Sequence, residues 1–388
     1  MDFELGEERR ALRQTLRSFF QREAPTAEIS RLDREAIFPR EIYNKMAELG
    51  LCGITIPEQY GGNPMDEISR CVVMEEIARA GGCLIYAFAP SVAFCGVGIE
   101  RYGSEEQKEK FLPGIASGKI RIAMGLSEPN SGSDLASLAT SAVRDGDNYL
   151  INGQKIWTTG ADTAEYIMAF VRTDREAPGH RGLSILLVDR TTPGISVRPI
   201  PKLAAQATHT CEVFFDNVVV PAANLLGPVG GGAKMIFSLL DAERVYVAAQ
   251  ACGIAQGAFE QALTYAKQRK QFGTEIINLQ AVGHMLAEIA SEIQASRLVC
   301  WHAAWRLDQG LSCSTEASIA KIVATEATTR CIGKAMQVMG GYSYALEFPL
   351  ERFWRETKLY EIAGGTNQIQ RNIIVKNLLA RDDIDYFP

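Results

Sequence analysis

A glutamate that falls on an apolar helix stripe is the first residue of this chain whose setting favours chemistry. Glu243 lies in the segment 237–245, where apolar residues recur at steps of three and four, so its side chain should face the protein interior. A carboxylate in an apolar environment has its pKa raised toward the range that suits a general base. Taken by itself, Glu243 is more simply explained as an ion-paired helix residue, for instance with Arg244 or Lys234. The stripe consists of Ile236, Leu239 or Leu240, Val247, Ala251 and Ile254.

Two polar segments further upstream offer groups that could bind the edge of a flat ligand. Residues 125–134 read Gly-Leu-Ser-Glu-Pro-Asn-Ser-Gly-Ser-Asp, in which Gly132 allows close backbone approach and Ser133 adds a hydroxyl donor. Residues 155–160 read Lys-Ile-Trp-Thr-Thr-Gly and combine the aromatic ring of Trp157 with two hydroxyls. Each segment has an ordinary explanation when it stands alone. The first could be a polar surface turn, and the second could place a tryptophan in a β core.

Three segments in the C-terminal half combine polar side chains with glycines. Residues 268–273 read Gln-Arg-Lys-Gln-Phe-Gly, and the planar guanidinium of Arg269 suits a diphosphate. A solvated basic end of a helix would read the same way. Residues 337–341 read Gln-Val-Met-Gly-Gly, and residues 360–371 read Tyr-Glu-Ile-Ala-Gly-Gly-Thr-Asn-Gln-Ile-Gln-Arg. None of the three identifies a ligand without the others.

The elements that must position these segments fall into three zones. Residues 1–120 show helical periodicity broken by short Gly/Pro turns, which predicts an N-terminal helical bundle. Residues 121–226 contain short β-branched runs separated by turn residues, which predicts a small antiparallel β-domain. The last zone, residues 227–388, contains three consecutive glycines at 230–232 and then shows long amphipathic patterns, which predict a second helical domain.

Composition narrows the class of protein. Hydrophobic residues make up 47% of the chain and charged residues 22%, the balance of an ordinary soluble globular protein. The net charge of −6 argues against nucleic acid or an anionic membrane as the main partner. No apolar run approaches the roughly 18 residues of a membrane span. Scattered cysteines without a C-x-x-C spacing favour reduced thiols in a cytoplasmic protein, and the histidines lack ligand spacing, so we expect no metal site.

The five segments follow one another in a fixed order over residues 125–371, and together they resemble the acyl-CoA dehydrogenase family. Its members carry the motifs T-E-P-x-A-G-S-D, K-x-W-I-T-N, R-x-x-F-G, Q-x-x-G-G and Y-E-G-T-N-Q-I-Q. The resemblance covers essentially the whole chain. It implies a fold that is mostly α with a central β-domain: an N-terminal helical bundle, a β-barrel and a C-terminal four-helix bundle. It also implies FAD as the cofactor, an acyl-CoA substrate and an electron-transferring flavoprotein as the electron acceptor.

The resemblance assigns roles to the matching positions of this chain. Trp157 is expected to cover the flavin ring, and Thr159 to bind its polar edge. Arg269 is expected to reach the pyrophosphate of FAD in a neighbouring subunit, which implies an obligate homo-oligomer, usually a tetramer in this family. The full set of expected FAD contacts is Leu126, Ser127, Gly132, Ser133, Trp157, Thr159, Arg269, Gln271, Phe272, Gln337, Gly341, Thr366 and Gln368.

One group that most members possess is missing here. They carry the catalytic base at the position of Gly364, which has no carboxylate but keeps a backbone N–H that can donate to the thioester oxygen. Isovaleryl-CoA and long-chain members resemble this chain in having glycine there and the catalytic glutamate at the position of Glu243. Glu361 is expected to be structural. The resemblance places the acyl-CoA against Ser133, Leu240, Asp241, Arg244 and Gly365.

The expected reaction is α,β-dehydrogenation of an acyl-CoA, by α-proton abstraction and transfer of the β-hydride to flavin. Because glycine at position 364 opens volume beside the reacting carbons, we expect a branched, cyclic or otherwise substituted acyl group. Two alternatives stay open: a dehydrogenase of acyl or aminoacyl groups on a carrier protein, and a non-catalytic flavoprotein that binds acyl-CoA. The chain departs from the family at Gln206 and Ala204, where an arginine and a glycine are usual.

Overall fold

The computed structural model of the protein describes residues 4–380. The first part of the chain is helical. Its α-helices are α1 (Glu7–Glu23), α2 (Thr26–Glu35), α3 (Arg40–Glu48), α4 (Glu67–Ala80), α5 (Gly82–Ala89), α6 (Val97–Tyr102) and α7 (Glu105–Ala116), with a π-helical segment at Pro90–Gly96. Local caps set two of the starts. Asp66 accepts a hydrogen bond from the backbone N–H of Ser69 at the start of α4, and Ser104 with Gln107 forms a capping box on α7.

The middle of the chain forms a sheet. Its strands are β1 (Ile122–Gly125), β2 (Ser141–Asp145), β3 (Asn148–Thr159), β4 (Tyr166–Arg172), β5 (Leu183–Asp189), β6 (Ile195–Pro199), β7 (Thr210–Pro221) and β8 (Leu225–Leu226). The strand order is β6-β7-β3-β2-β4-β5-β8, and β1 pairs with β4. The long strands β3 and β7 pair antiparallel, and their inward side chains build an apolar core that includes Ile151, Val213 and Phe215.

Two details of the sheet differ from the predicted antiparallel barrel. Among the described residues the sheet is open, because β6 and β8 lie at its two ends without pairing with each other. It is also mixed, because β1 and β2 each pair with β4 in parallel. The alternation of apolar residues predicts strands, but it does not decide whether the last strand returns to the first. That depends on strand tilt and stagger.

The last part of the chain is again helical, and it includes the two segments that approach each other at the candidate site. Its helices are α8 (Gly232–Gln268), α9 (Gln280–Asp308), α10 (Ser314–Met339), α11 (Leu350–Ile362) and α12 (Asn367–Leu379), with a short hairpin of β9 (Lys270–Gln271) and β10 (Thr274–Glu275) after α8. α10 packs against α9, α11 and α12. The fold class is confirmed as mostly α with a central sheet domain.

The described chain forms two compact units that do not follow the three predicted zones. One contains residues 4–30, 66–82 and 241–380, and the other contains residues 31–65 and 83–240. Helices from both ends of the sequence thus belong to one unit. The predicted zone limits at residues 120 and 226 stay a prediction about domains.

One helical stretch of the described chain is longer and more apolar than expected from the sequence. Among the described residues, Gly82–Tyr102 is a 21-residue helical stretch that is long and apolar enough to cross a bilayer by length and composition. However, 78% of its apolar window is buried inside the protein. A helix that is apolar on all sides is found in protein cores as well as in membranes, and its burial here favours a core helix.

Candidate active site

Glu243 and Gly364 come together within the unit that contains residues 241–380. Glu243 lies on α8, and Gly364 lies in the turn between α11 and α12. A Cβ added to Gly364 would lie 3.7 Å from Oε1 of Glu243 and 3.6 Å from Cγ2 of Val247. The carboxylate of Glu243 therefore reaches the space into which a side chain at position 364 would point.

The environment of Glu243 suits a proton acceptor. The side chain is half-buried, one helical turn from the buried residue Val247. Burial raises the pKa of Glu243 to about 7, against the opposing charges of Arg244 and Lys321. A carboxylate with a pKa near 7 is a stronger base than an exposed one and is still ionised at neutral pH in a large fraction of molecules.

Arg244 is engaged by a different carboxylate. Its Nη1 donates to Oδ1 of Asp241 at 2.7 Å, one helical turn away on α8. Burial lowers the pKa of Arg244, and burial also raises the pKa of Asp241 above its ordinary value. The geometry therefore does not favour an ion pair between Glu243 and Arg244. The Nε of Arg244 is buried and has no hydrogen-bond partner among the described residues.

The turn that carries Gly364 is held by side chains from two helices. Gly364 and Gly365 have φ angles of +65° and +83°, in the left-handed region that favours glycine. The Nε2 atom of Gln370 donates to the carbonyl oxygens of both glycines, at 3.3 Å and 2.9 Å. Lys321 of α10 donates to the carbonyl oxygen of Gly365 at 2.8 Å. Thr366 caps α12 by accepting from the N–H of Ile369. The backbone direction at Gly364 is thus fixed on its C-terminal side.

The loop expected to bind the flavin is anchored by a buried ion pair in the other unit. Lys155 is fully buried, and its Nζ donates to Oε1 of Glu128 at 2.7 Å and to the carbonyl oxygen of Leu126 at 3.1 Å. Glu128 also accepts from the backbone N–H groups of Ala139 and Thr140. Burial disfavours the charged carboxylate, but the Lys155 ammonium and these donors hold the pKa of Glu128 below its usual range. Loop 125–134 is therefore tied to strand β3.

Trp157 is turned outward by a bulge in β3. The pairing of β3 with β7 shifts register between Lys155 and Thr158, and Trp157 has a φ of +61°, which is costly for a bulky residue. Its side chain is 58% exposed. A strained, exposed tryptophan beside the hydroxyl of Thr159 is not β-core filler. The surface it offers, next to the polar loop, fits a planar ring system.

The structure places the remaining expected FAD residues as follows. Phe272 stands at the tip of the β9–β10 hairpin with a φ of +53° and is 92% exposed. A Cβ at Gly132 would meet no protein atom within 4 Å, so the polar loop has open space on that side. Gly132, Ser133, Arg269, Gln271, Gln337, Gly341 and Gln368 are exposed, while Leu126, Ser127, Thr159 and Thr366 are half-buried.

The expected substrate residues divide between the two units. Asp241, Arg244 and Gly365 belong to the same unit as Glu243, whereas Ser133 and Leu240 belong to the other. Glu361 is occupied elsewhere, since its carboxylate accepts from Thr329 Oγ1 at 2.8 Å and from Lys358 Nζ at 2.6 Å. The structural role expected for Glu361 agrees with these bonds. The substrate contacts themselves stay predictions.

Sequence reasoning missed two features that the structure shows. The first is the buried Lys155–Glu128 pair. The second is Lys321, a lysine on the buried face of α10, which the helical period could have revealed in the same way as Glu243. At Gln206, where the sequence departs from the family, Nε2 donates to the carbonyl oxygen of Lys202 at 2.6 Å within the same loop. That bond explains what Gln206 does where the family usually has arginine.

Two further observations concern metal binding and the cysteines. Within residues 4–380, no group of three or more His, Cys, Asp or Glu residues is arranged to hold a metal ion. All nine cysteines are buried and free.

Three family models match the chain in succession. They are the N-terminal domain (residues 6–119), the middle domain (residues 123–218) and the C-terminal domain (residues 230–379) of acyl-CoA dehydrogenase. The chain therefore belongs to the acyl-CoA dehydrogenase family. The family and its neighbours are FAD-dependent flavoproteins. The family expectation and its cofactor are thus confirmed. The narrower subgroup of isovaleryl-CoA and long-chain members is not.

Individual relatives match over nearly their full length. The chain is 40% identical over 381 residues to a probable acyl-CoA dehydrogenase YngJ of Bacillus subtilis, covering 98% of this chain and 100% of the relative. It is 36% identical over 378 residues to the subunit CarC of a caffeyl-CoA reductase-Etf complex of Acetobacterium woodii, covering 97% and 99%. Among solved structures, a glutaryl-coenzyme A dehydrogenase in complex with glutaryl-CoA superposes with a TM-score of 0.94 at 36% identity, covering 98% and 97%.

Proposed function

We propose that this protein oxidises an acyl-CoA thioester between its α and β carbons, with Glu243 as the base. The observation that carries the assignment is the position of Glu243 Oε1, 3.7 Å from where a Cβ of Gly364 would lie. The carboxylate that most family members place at position 364 is thus replaced in space by one from α8. Burial raises the pKa of Glu243 to about 7, which supports the same role.

The chain's own groups account for the two demands of the reaction. Glu243 removes the α-proton and holds it on its carboxylate. The backbone N–H of Gly364 donates to the thioester oxygen, where negative charge develops as the proton leaves. When bound, FAD would supply the acceptor for the hydride that leaves the β-carbon, so that the substrate loses one proton and one hydride and becomes the α,β-unsaturated thioester. Trp157 and loop 125–134 would hold the flavin, and Arg269 and Phe272 would contact the FAD of a neighbouring subunit.

The absence of a side chain at Gly364 supports a substituted acyl group. A Cβ at that position would make only ordinary van der Waals contacts, with Glu243 and Val247, so the region holds no other protein atom closer than 3.6 Å. A longer side chain there would compete with the substrate for this volume. We therefore favour a branched, cyclic or otherwise substituted acyl group, and we propose that the chain belongs with the isovaleryl-CoA and long-chain members that carry the catalytic glutamate on the helix after the β-domain.

We propose that the chain forms a homo-oligomer. Large exposed apolar patches mark interaction sites, and several large apolar side chains are exposed in the C-terminal part of the chain. Phe272 is both strained and 92% exposed. The other exposed apolar residues of this region include Trp354, Leu359, Ile362, Val375, Leu378 and Leu379. We propose a tetramer in the cytoplasm, where free buried thiols are stable, and sedimentation velocity of the FAD-loaded protein tests its size.

An electron-transferring flavoprotein is the proposed electron acceptor. One relative with 36% identity is named as part of a reductase-Etf complex, which supports such a partner for this chain as well. That relative is named as a reductase, which favours a reaction that can run in either direction. Because one base serves both directions, we infer that the electron-transfer partner and the substrate set the net direction.

The test is anaerobic mixing of the FAD-loaded protein with a panel of acyl-CoAs while flavin absorbance is followed. Glu243→Gln should slow bleaching by about 10²–10⁴-fold without loss of thioester binding. The matched control is Glu361→Gln, which removes a nearby carboxylate whose oxygens bond Thr329 and Lys358. It should bleach at a rate close to that of the unaltered protein. Bleaching by Glu243→Gln at the original rate would show that the base is another group.

The same panel separates the other two functions. Bleaching by a carrier-protein thioester, but by no acyl-CoA, would replace the CoA substrate with a tethered one and leave Glu243 as the base. A flavin spectrum that shifts on binding acyl-CoA but never bleaches would establish a non-catalytic binding protein.

A further inference from the structure

Lys321, a lysine outside the five motifs, is a buried cation whose charge acts on the candidate base in addition to that of Arg244. Lys321 lies on α10 and is fully buried, with 0% of its surface exposed. Its Nζ donates to the carbonyl oxygen of Gly365 at 2.8 Å and to Oδ1 of Asn367 at 3.1 Å. Both acceptors are neutral oxygens. Because a buried ammonium is costly without a compensating charge, its location needs a reason beyond these two bonds.

The compensating charge is on α8. Burial lowers the pKa of Lys321 to about 8, and the negative charge of Glu243 opposes that shift. The effect is mutual, because the positive charge of Lys321 opposes the rise in the pKa of Glu243. The charged groups around this pair come from three helices: Glu243 and Arg244 from α8, Lys321 from α10 and Glu361 from α11. Arg244 is engaged by Asp241, which leaves Lys321 as the cation that no carboxylate directly bonds.

The bond from Lys321 to Gly365 also has a geometric role. Gly365 directly follows Gly364, whose N–H is the proposed donor to the thioester oxygen. Ser318, one turn before Lys321 on α10, donates to Oε1 of Gln370 at 3.0 Å, and Gln370 in turn bonds the carbonyl oxygens of both glycines. α10 therefore holds the turn at two points. Only one of them, Lys321, also carries a charge that acts on Glu243.

We propose that Lys321 is a positioning residue that fixes the Gly364–Gly365 turn for thioester binding and keeps Glu243 ionised for proton removal. This inference rests on the proposed role of Glu243 as the base. It couples the two halves of the reaction at one side chain: the ammonium that directs the N–H donor is the same one that stabilises the charged base.

The test compares Lys321→Met with Lys321→Arg and with Lys334→Met in the full-length, FAD-loaded protein. Lys334 lies on the same helix but pairs with Glu288 and Glu292, away from the turn. The rate of flavin bleaching is measured from pH 5 to pH 9 with the acyl-CoA that gives the fastest reaction. The acid limb of the pH–rate profile is the range in which the rate falls because Glu243 becomes protonated. In Lys321→Met this limb should shift to higher pH by about 1 unit, because the lost positive charge had lowered the pKa of the carboxylate. Its plateau should fall about tenfold, as expected for a weakened oxyanion donor.

Two further results complete the test. Lys321→Arg should return the acid limb toward its original position, and Lys334→Met should leave both limb and plateau unchanged. Amide hydrogen exchange in segment 363–367 should increase in Lys321→Met and not in Lys334→Met.

An unshifted acid limb in a folded Lys321→Met protein overturns the proposal. If Lys321→Met does not fold, Lys321→Gln carries the same pH measurement, and an unshifted limb there has the same meaning. Rapid bleaching by Glu243→Gln would instead overturn the assignment of Glu243 as the base, whatever Lys321 does.

Discussion

The carboxylate of Glu243 lies next to the position that a side chain on Gly364 would occupy. Oε1 of Glu243 lies 3.7 Å from the point that a Cβ on Gly364 would occupy, although the two residues are separated by most of the C-terminal helical region. The carboxylate next to the Gly364 turn is therefore supplied by α8.

Gly364→Glu should harm the enzyme by adding a second carboxylate beside the first. Like charges at this distance raise the pKa of one member of the pair, so the acid limb of flavin bleaching should rise by about 1 pH unit or more. The positive φ of Gly364 should add roughly 1–2 kcal/mol of destabilisation. Stopped-flow bleaching against pH measures the first effect and urea unfolding the second. Gly364→Ala is the control, because it keeps the backbone strain without the charge. An acid limb that moves as far in Gly364→Ala would assign the shift to strain.

Glu243 should make the protein less stable as the pH rises. Its pKa is raised from 4.5 to about 7, so between these values the folded protein keeps a proton that the unfolded chain has lost. The unfolded state then binds fewer protons, and the free energy of unfolding decreases with pH across this window. Below pH 4.5 both states are protonated and the effect vanishes. Above pH 7 it is constant.

Glu243→Gln removes this linkage and should therefore be the more stable protein at pH 8. The difference in melting temperature between Glu243→Gln and the unaltered chain should be small at pH 4.5, grow to roughly 2 °C or more by pH 7, and then level off. Differential scanning calorimetry of both proteins over this range measures it. Glu361→Gln should not show the same growth, since its bonds to Thr329 and Lys358 hold the pKa of Glu361 below its usual value despite partial burial. A difference that shrinks with pH would contradict the buried setting of Glu243.

The Lys155–Glu128 pair should be important both for stability and for flavin binding. Lys155→Met leaves a buried carboxylate without its cation, which should cost about 3–5 kcal/mol of unfolding free energy. It should also release loop 125–134 and increase the loss of FAD on dialysis. The double variant Lys155→Met/Glu128→Gln should recover part of the stability. Urea unfolding and the ratio of FAD to protein are the measurements.

The control for this pair is a surface pair of the same type. Lys108 bonds Glu105 at 2.9 Å on α7, where the glutamate is largely exposed. Lys108→Met should change the unfolding free energy by less than about 1 kcal/mol and leave the FAD content unchanged. Equal losses in the two lysine variants would mean that the Lys155–Glu128 pair contributes no more than an ordinary surface pair.

Much of the fold could be predicted because its elements are local. The period of the apolar residues predicted the helical and β regions, and the glycines at 230–232 marked the start of α8, which begins at Gly232. The π-helical segment at Pro90–Gly96 could not be predicted, because its extra residue per turn is decided by packing rather than by local propensity. The open edge of the sheet depends in the same way on contacts between distant segments.

In the candidate site, too, some features could be predicted from the sequence and others could not. Glu243 could be found because a carboxylate on an apolar stripe breaks a periodic pattern, and the flavin segments could be found from their motifs. The outward turn of Trp157 could not, because it depends on a register shift between β3 and β7. Lys321 broke a periodic pattern as well, but nothing in the sequence indicated that its ammonium would lie beside the turn at Gly365.

The length of α8 has a consequence for mixed assemblies. Glu243 and Arg269 are separated by 26 positions, the first on the helix and the second directly after its last residue, which places them about 39 Å apart along its axis. If Arg269 completes the flavin site of a neighbour, each copy then supplies the proton acceptor to one centre and the guanidinium to another. A Glu243→Gln chain and an Arg269→Gln chain, each inactive alone, would therefore complement each other: a mixed pair assembles one centre in which both groups are intact, alongside one in which both are lost.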